Sequence, residues 1–89
     1  MTHHPRKQFA QHWLRNEKVL NQIVAAAQIS NSDRILEIGP GKGVLTRRLL
    51  PLAQSLVSVE IDRDLCKLLV KELGKYEHFL LLQGDILTL

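Results

Sequence analysis

The stretch that most constrains this chain is Ile35-Leu36-Glu37-Ile38-Gly39-Pro40-Gly41-Lys42-Gly43, a short apolar run that breaks into a turn with glycines at alternate positions. Near-continuous apolar content over Arg34–Ile38 predicts a strand buried on both faces, as in a parallel sheet. Beyond the turn, Val44–Leu50 reads as a short helix that Pro51 ends. A second strand is expected over about Leu56–Ile61. A helix capped by Asp62 or Asp64 follows, with Leu65, Leu68, Leu69 and Leu73 on its apolar face and Gly74 as its stop. A third strand covers about Phe79–Gln83. Upstream, Asn16 is an N-cap for a helix carrying Val19, Leu20, Ile23, Val24 and Ala27 at helical spacing. The order α-β-α-β-α-β with short connections implies α/β architecture, a parallel three-stranded sheet with right-handed helical crossovers. Residues 1–15 lack clean periodicity and read as an arm; residues 16–89 read as one unit.

Two acids stand where such a sheet meets ligands. Glu60 closes the second strand, 21 residues after Gly39, and Asp85 follows Gly84 at the end of the third. A carboxylate at the first position accepts hydrogen bonds from ribose hydroxyls, and one at the second can accept from an exocyclic adenine amine. Each taken alone is a surface acid or a cap; together with a glycine turn they point to a nucleoside-bearing cofactor. The dinucleotide pattern G-x-G-x-x-G needs its third glycine at 44, where this chain has Val44. A phosphate-binding P-loop needs Ser or Thr after Lys42, where it has Gly43. Glu37 beside the turn would repel a pyrophosphate and suits a ligand with a cationic end, such as an amino acid.

Bulk properties narrow the class further. With 89 residues, 45% hydrophobic and 24% charged, the chain suits one small globular domain. No apolar run reaches the roughly 20 residues that cross a bilayer, and the polar, basic N-terminus does not read as a signal peptide. Cys66 is the single cysteine, on the apolar side of a helix, so it reads as a small core residue in a reducing, cytoplasmic setting. His3, His4, His12 and His78 make no metal-ligand spacing. The net charge of +3 is uneven: up to Arg48 the balance is +5, and beyond it −2. A polyanion would be drawn to the first half.

Glu37-Ile-Gly-Pro-Gly-Lys-Gly-Val-Leu-Thr46 resembles motif I of the class I S-adenosylmethionine-dependent methyltransferases. Val59-Glu-Ile-Asp-Arg-Asp64 and Gln83-Gly-Asp-Ile-Leu87 are similar to the next two motifs. Arg6-Lys-Gln-Phe-Ala-Gln-His-Trp-Leu14 resembles the N-terminal signature of one branch, the ribosomal RNA adenine N6-dimethyltransferases. The resemblance implies a Rossmann-like methyltransferase fold and S-adenosyl-L-methionine as cofactor. It implies that His12 and Leu14 contact the cofactor, that Gly39, with Glu37 and Gly41 beside it, lies against the methionine part, and that Glu60 holds the ribose. Ile61 would pack on the adenine face and Asp85 would hold the adenine amine. Ribosomal RNA of the small subunit would be the partner, with phosphates met by Arg6, Lys7, Arg47 and Arg48 and affinity falling as salt rises.

The family's catalytic motif, Asn-[Leu/Ile]-Pro-[Tyr/Phe] after the fourth strand, has no counterpart here, since the last asparagine is Asn31. The chain therefore reads as an N-terminal portion of a roughly threefold longer enzyme, inactive alone. Without a fourth strand beside it, the first strand would keep an open edge that favours self-association. Three rival readings remain at this level: a non-catalytic S-adenosylmethionine- or RNA-binding module, a large-subunit rRNA adenine methylase, and a nicotinamide-dependent oxidoreductase.

Overall fold

A computed structural model describes residues 16–89. Its elements are α1 (Glu17–Ala27), β1 (Arg34–Ile38), α2 (Val44–Leu49), β2 (Ser55–Glu60), α3 (Arg63–Leu73) and β3 (Phe79–Gln83). Asn16 caps α1, its side chain accepting from the amides of Lys18 and Val19, and Asp62 caps α3 by accepting from Asp64 and Leu65. Each cap satisfies amides that a helix start leaves without partners. Of the two expected acids at the start of α3, Asp62 therefore holds the capping position. Three boundaries move by one residue: α2 ends at Leu49, and β2 both starts and ends one residue earlier, at Ser55 and Glu60, which leaves Ile61 just beyond the strand.

The strands lie in the order β1-β2-β3, all parallel. Register aligns Ile35 with Leu56 and Phe79, and Glu37 with Ser58 and Leu81. Because side chains alternate along a strand, these rows share one face, and α2 and α3 cover it. Leu49, Leu50, Leu56, Leu69 and Leu73 form the buried cluster there, with Ile29, Ile35, Leu45, Phe79 and Leu81 packed around it. Leu69 and Leu56 are almost wholly buried, each contributing about 1.5–3 kcal/mol of hydrophobic stabilisation. Arg48 on α2 joins this layer to α1 through Glu17 and Asn21. Arg47 pairs with Glu72 on α3 at 2.6 Å.

The opposite face differs. Leu36 and Ile38 on β1, with Leu80 and Leu82 on β3, are between 40% and 61% exposed. Among the described residues β1 pairs with β2 only, so its other edge presents free backbone donors and acceptors. Among the described residues the sheet thus has one face covered by helices and one apolar face with no layer on it. No helix among the described residues is long and apolar enough to cross a membrane.

Candidate cofactor site

The three strands end together, and the expected site residues gather at that carboxyl edge, where open parallel sheets receive ligands. Two backbone bonds tie the segments leaving the strands to one another. The Gly39 amide donates to the Val59 carbonyl at 2.8 Å, and the Gly84 amide donates to the Glu60 carbonyl at 2.9 Å. The turn after β1 and the turn after β3 are therefore both fixed to the end of β2.

Gly39 and Gly41 have φ of +71° and +59°, and a Cβ on either would meet nothing within 4 Å. The left-handed backbone accounts for glycine at both positions, and the open space above them is a cradle that any side chain would begin to fill. Gly43 shares the left-handed backbone, with φ of +85°, and meets a second constraint as well. A Cβ there would lie 2.8 Å from Leu69 Cδ2 and 3.5 Å from Leu73 Cδ1, so Gly43 lets the turn settle against α3. Close helix packing, which the dinucleotide pattern would assign to a glycine at 44, is done one residue earlier.

Glu60 is 6% exposed. Its Oε1 accepts the Gly41 amide at 3.0 Å and its Oε2 accepts the Asp62 amide at 2.9 Å. Its neighbour Ile61 is 67% exposed, an apolar side chain held in solvent beside a buried carboxylate and available to an aromatic base. Asp85 stands beyond β3, half-buried, with Oδ1 accepting from the Leu87 amide at 2.9 Å. Its second oxygen makes no bond among the described residues. Below Glu60, Cys66 Sγ lies 3.4 Å from the Glu60 carbonyl. Burial, with the nearby charges of Glu60 and Asp62, pushes this thiol above its usual range. It is a buried core residue, as its place on the helix predicts.

Glu37 has an internal task that the sequence does not announce. Its Oε1 accepts the Thr46 hydroxyl at 2.7 Å and the Ser58 hydroxyl at 2.8 Å. Thr46 and Ser58 are fully buried, and Glu37 is 8% exposed. One carboxylate thus joins β1, β2 and α2 directly beneath the glycine turn. Hydrogen bonds to a charged acceptor are the stronger kind, and every buried side-chain polar atom among the described residues has a partner. Thr46 and Ser58 are absent from the candidate residues read in the sequence. The available signal was Ser58 itself, a hydroxyl at the centre of an apolar strand aligned with Glu37.

Of the other candidates, Arg47 and Arg48 are engaged in the ion pairs that hold α2 to α3 and to α1. His12, Leu14, Arg6 and Lys7 lie outside the described residues, as does the arm assigned to 1–15. His78 precedes β3 at the amino end of the strands, away from the glycine turn, its Nε2 2.7 Å from the Leu50 carbonyl, and no His, Cys, Asp and Glu cluster suited to a metal occurs among the described residues.

Parallel strand order, a glycine cradle and strand-end acids define a Rossmann-like domain of the methyltransferase type, and solved structures agree. The chain superposes with a TM-score of 0.76 on a dimethyladenosine transferase from Plasmodium falciparum, at 36% identity over 83% of this chain and 28% of that one. It superposes with a TM-score of 0.77 on the 23S rRNA methyltransferase ErmE, at 35% identity over 86% of this chain and 32% of that one.

The ribosomal RNA adenine dimethylase family profile matches residues 2–89, and the chain belongs to that family. It is 73% identical, over 96% of its length, to a ribosomal RNA small subunit methyltransferase A from Nostoc sp. (strain PCC 7120 / SAG 25.82 / UTEX 2576). A protein of the same name from Trichormus variabilis is 72% identical over the same share. The chain spans 31% of the length of each.

Proposed function

We propose that this chain is the methyl-donor-binding part of an enzyme that transfers methyl groups from S-adenosylmethionine to N6 of adenines in small-subunit ribosomal RNA, in the cytoplasm. The observation that carries the reading is the Glu60 carboxylate, fixed at the end of β2 beside the Gly39–Gly41 cradle. Identity of 73% to a small-subunit enzyme, against 35% to a large-subunit one, supports the choice of RNA.

The donor would supply an electrophilic sulfonium methyl. The residues of this chain bind and orient it. Gly39 and Gly41 admit the methionine part close to the backbone, Glu60 accepts from the ribose hydroxyls, Ile61 covers one face of the adenine, and Asp85 accepts from its amine. Glu37 supports the turn from below through Thr46 and Ser58, and its negative charge favours the cationic end of the amino acid. Rate enhancement by such a site comes from alignment of the amine with the methyl group. His12 and Leu14 would complete the donor site from the arm, and Arg6 and Lys7 would meet RNA phosphate. Arg47 and Arg48 would reach RNA only by exchanging their acidic partners for phosphate.

Calorimetric titration of the protein with S-adenosylhomocysteine and, separately, with NAD tests the assignment. Saturable binding of the first without the second is expected. Preference for NAD would replace this reading with that of an oxidoreductase.

A further inference from the structure

The Glu60 carboxylate does more than wait for a ribose. It already accepts two backbone amides, one on each oxygen, from two different turns: Gly41 in the turn after β1, and Asp62 at the start of α3. These turns approach each other at the mouth of the site, and of the side chains described there only Glu60 bonds to both. A carboxylate has about four lone-pair directions over its two oxygens, so two amides leave one acceptor direction on each. We infer that Glu60 is a clip: it fastens the glycine turn to the β2–α3 turn and in doing so holds the Gly39–Gly41 cradle in the shape that receives the ligand.

The inference rests on the nucleoside-cofactor reading and adds a positioning role to it. If Glu60 only touched ribose, a ligand lacking the hydroxyls would be indifferent to it. If Glu60 is a clip, such a ligand depends on it too, because the Gly39–Gly41 cradle loses its anchor. Glu60→Gln separates the cases. A glutamine can still accept from one amide through its oxygen, but its NH2 group then faces the second amide, donor against donor.

The test is a two-by-two comparison of dissociation constants, for wild type and Glu60→Gln, with S-adenosylhomocysteine and with its 2′,3′-dideoxy analogue. The clip predicts that Glu60→Gln weakens the dideoxy analogue by at least fivefold and the natural nucleoside by more. A dideoxy affinity unchanged by the substitution, with natural nucleoside still weakened, overturns the clip and leaves ribose contact alone. Failure of wild type to bind S-adenosylhomocysteine overturns the cofactor reading, and hydrogen exchange then tests the clip by itself.

Amide hydrogen exchange on ligand-free wild type needs no variant to fold. The Gly41 amide is expected to exchange at least tenfold more slowly than that of Lys42, which has no acceptor among the described residues. Equal rates at the two positions would overturn the clip.

Discussion

Thr46 donates its hydroxyl to Glu37 across 2.7 Å, and Ser58 donates to the same oxygen at 2.8 Å. Helix, central strand and first strand therefore meet on a single carboxylate under the glycine turn. Thr46→Val keeps the shape of the side chain and removes the donor, leaving Glu37 with Ser58 alone. The loss of a hydrogen bond to a buried carboxylate should lower stability by about 1.5–3 kcal/mol. Urea denaturation followed by circular dichroism measures it, and Thr46→Ser should recover most of the loss.

Gly43→Ala is expected to destabilise the fold, whereas the same change at Gly41 should chiefly affect ligand binding. At 43 the new methyl group meets Leu69 at 2.8 Å and the backbone keeps φ at +85°. Overpacking and left-handed strain together should cost about 2–4 kcal/mol. At 41 only the strain applies, because the space around it is open. Paired thermal melts and cofactor titrations of the two variants distinguish these effects.

These two cases also mark how much the sequence made legible. Alternation of apolar runs with capped helices was enough for every element and for the parallel sheet, since Asn16, Asp62 and the apolar rows act locally. The places of Glu60, Asp85 and Gly39 followed from strand ends, which spacing reveals. The roles of Gly43 and Glu37 did not. Gly43 also sits against Leu69, 26 positions away, and Glu37 turns inward because Ser58 aligns with it across the sheet. Both depend on tertiary contacts that local pattern does not encode.

Cys66 should resist modification in the folded protein. Burial, with the charges of Glu60 and Asp62, raises its pKa, so the unfolded chain gives up the thiol proton at lower pH than the folded one. Stability from this group is complete below the usual thiol pKa and declines as pH rises above it toward the folded value. Denaturation midpoints of Cys66→Ala should therefore fall less steeply above about pH 9 than those of wild type. Parallel declines would show that the thiol does not contribute to the pH dependence of stability.

The apolar face carrying Leu36, Ile38, Leu80 and Leu82, continuous with the open edge of β1, should drive this 89-residue chain to pair with a second copy of itself. Unpaired apolar edges behave in this way. Sedimentation velocity over a range of concentrations should reveal association, and Ile38→Lys should reduce it by placing a charge on the face. A monomer at all concentrations would contradict the expectation.

Glu60, held beside the Gly39–Gly41 cradle, is proposed to make this chain a binder of S-adenosylmethionine. Isothermal titration of S-adenosylmethionine into wild type and Glu60→Ala tests it most directly, with circular dichroism to establish that both are folded. One saturable site is expected in wild type, with affinity reduced by about 10- to 100-fold in the variant, the worth of hydrogen bonds to a charged group. Folded wild type that binds nothing, or a folded variant that binds equally well, would contradict it.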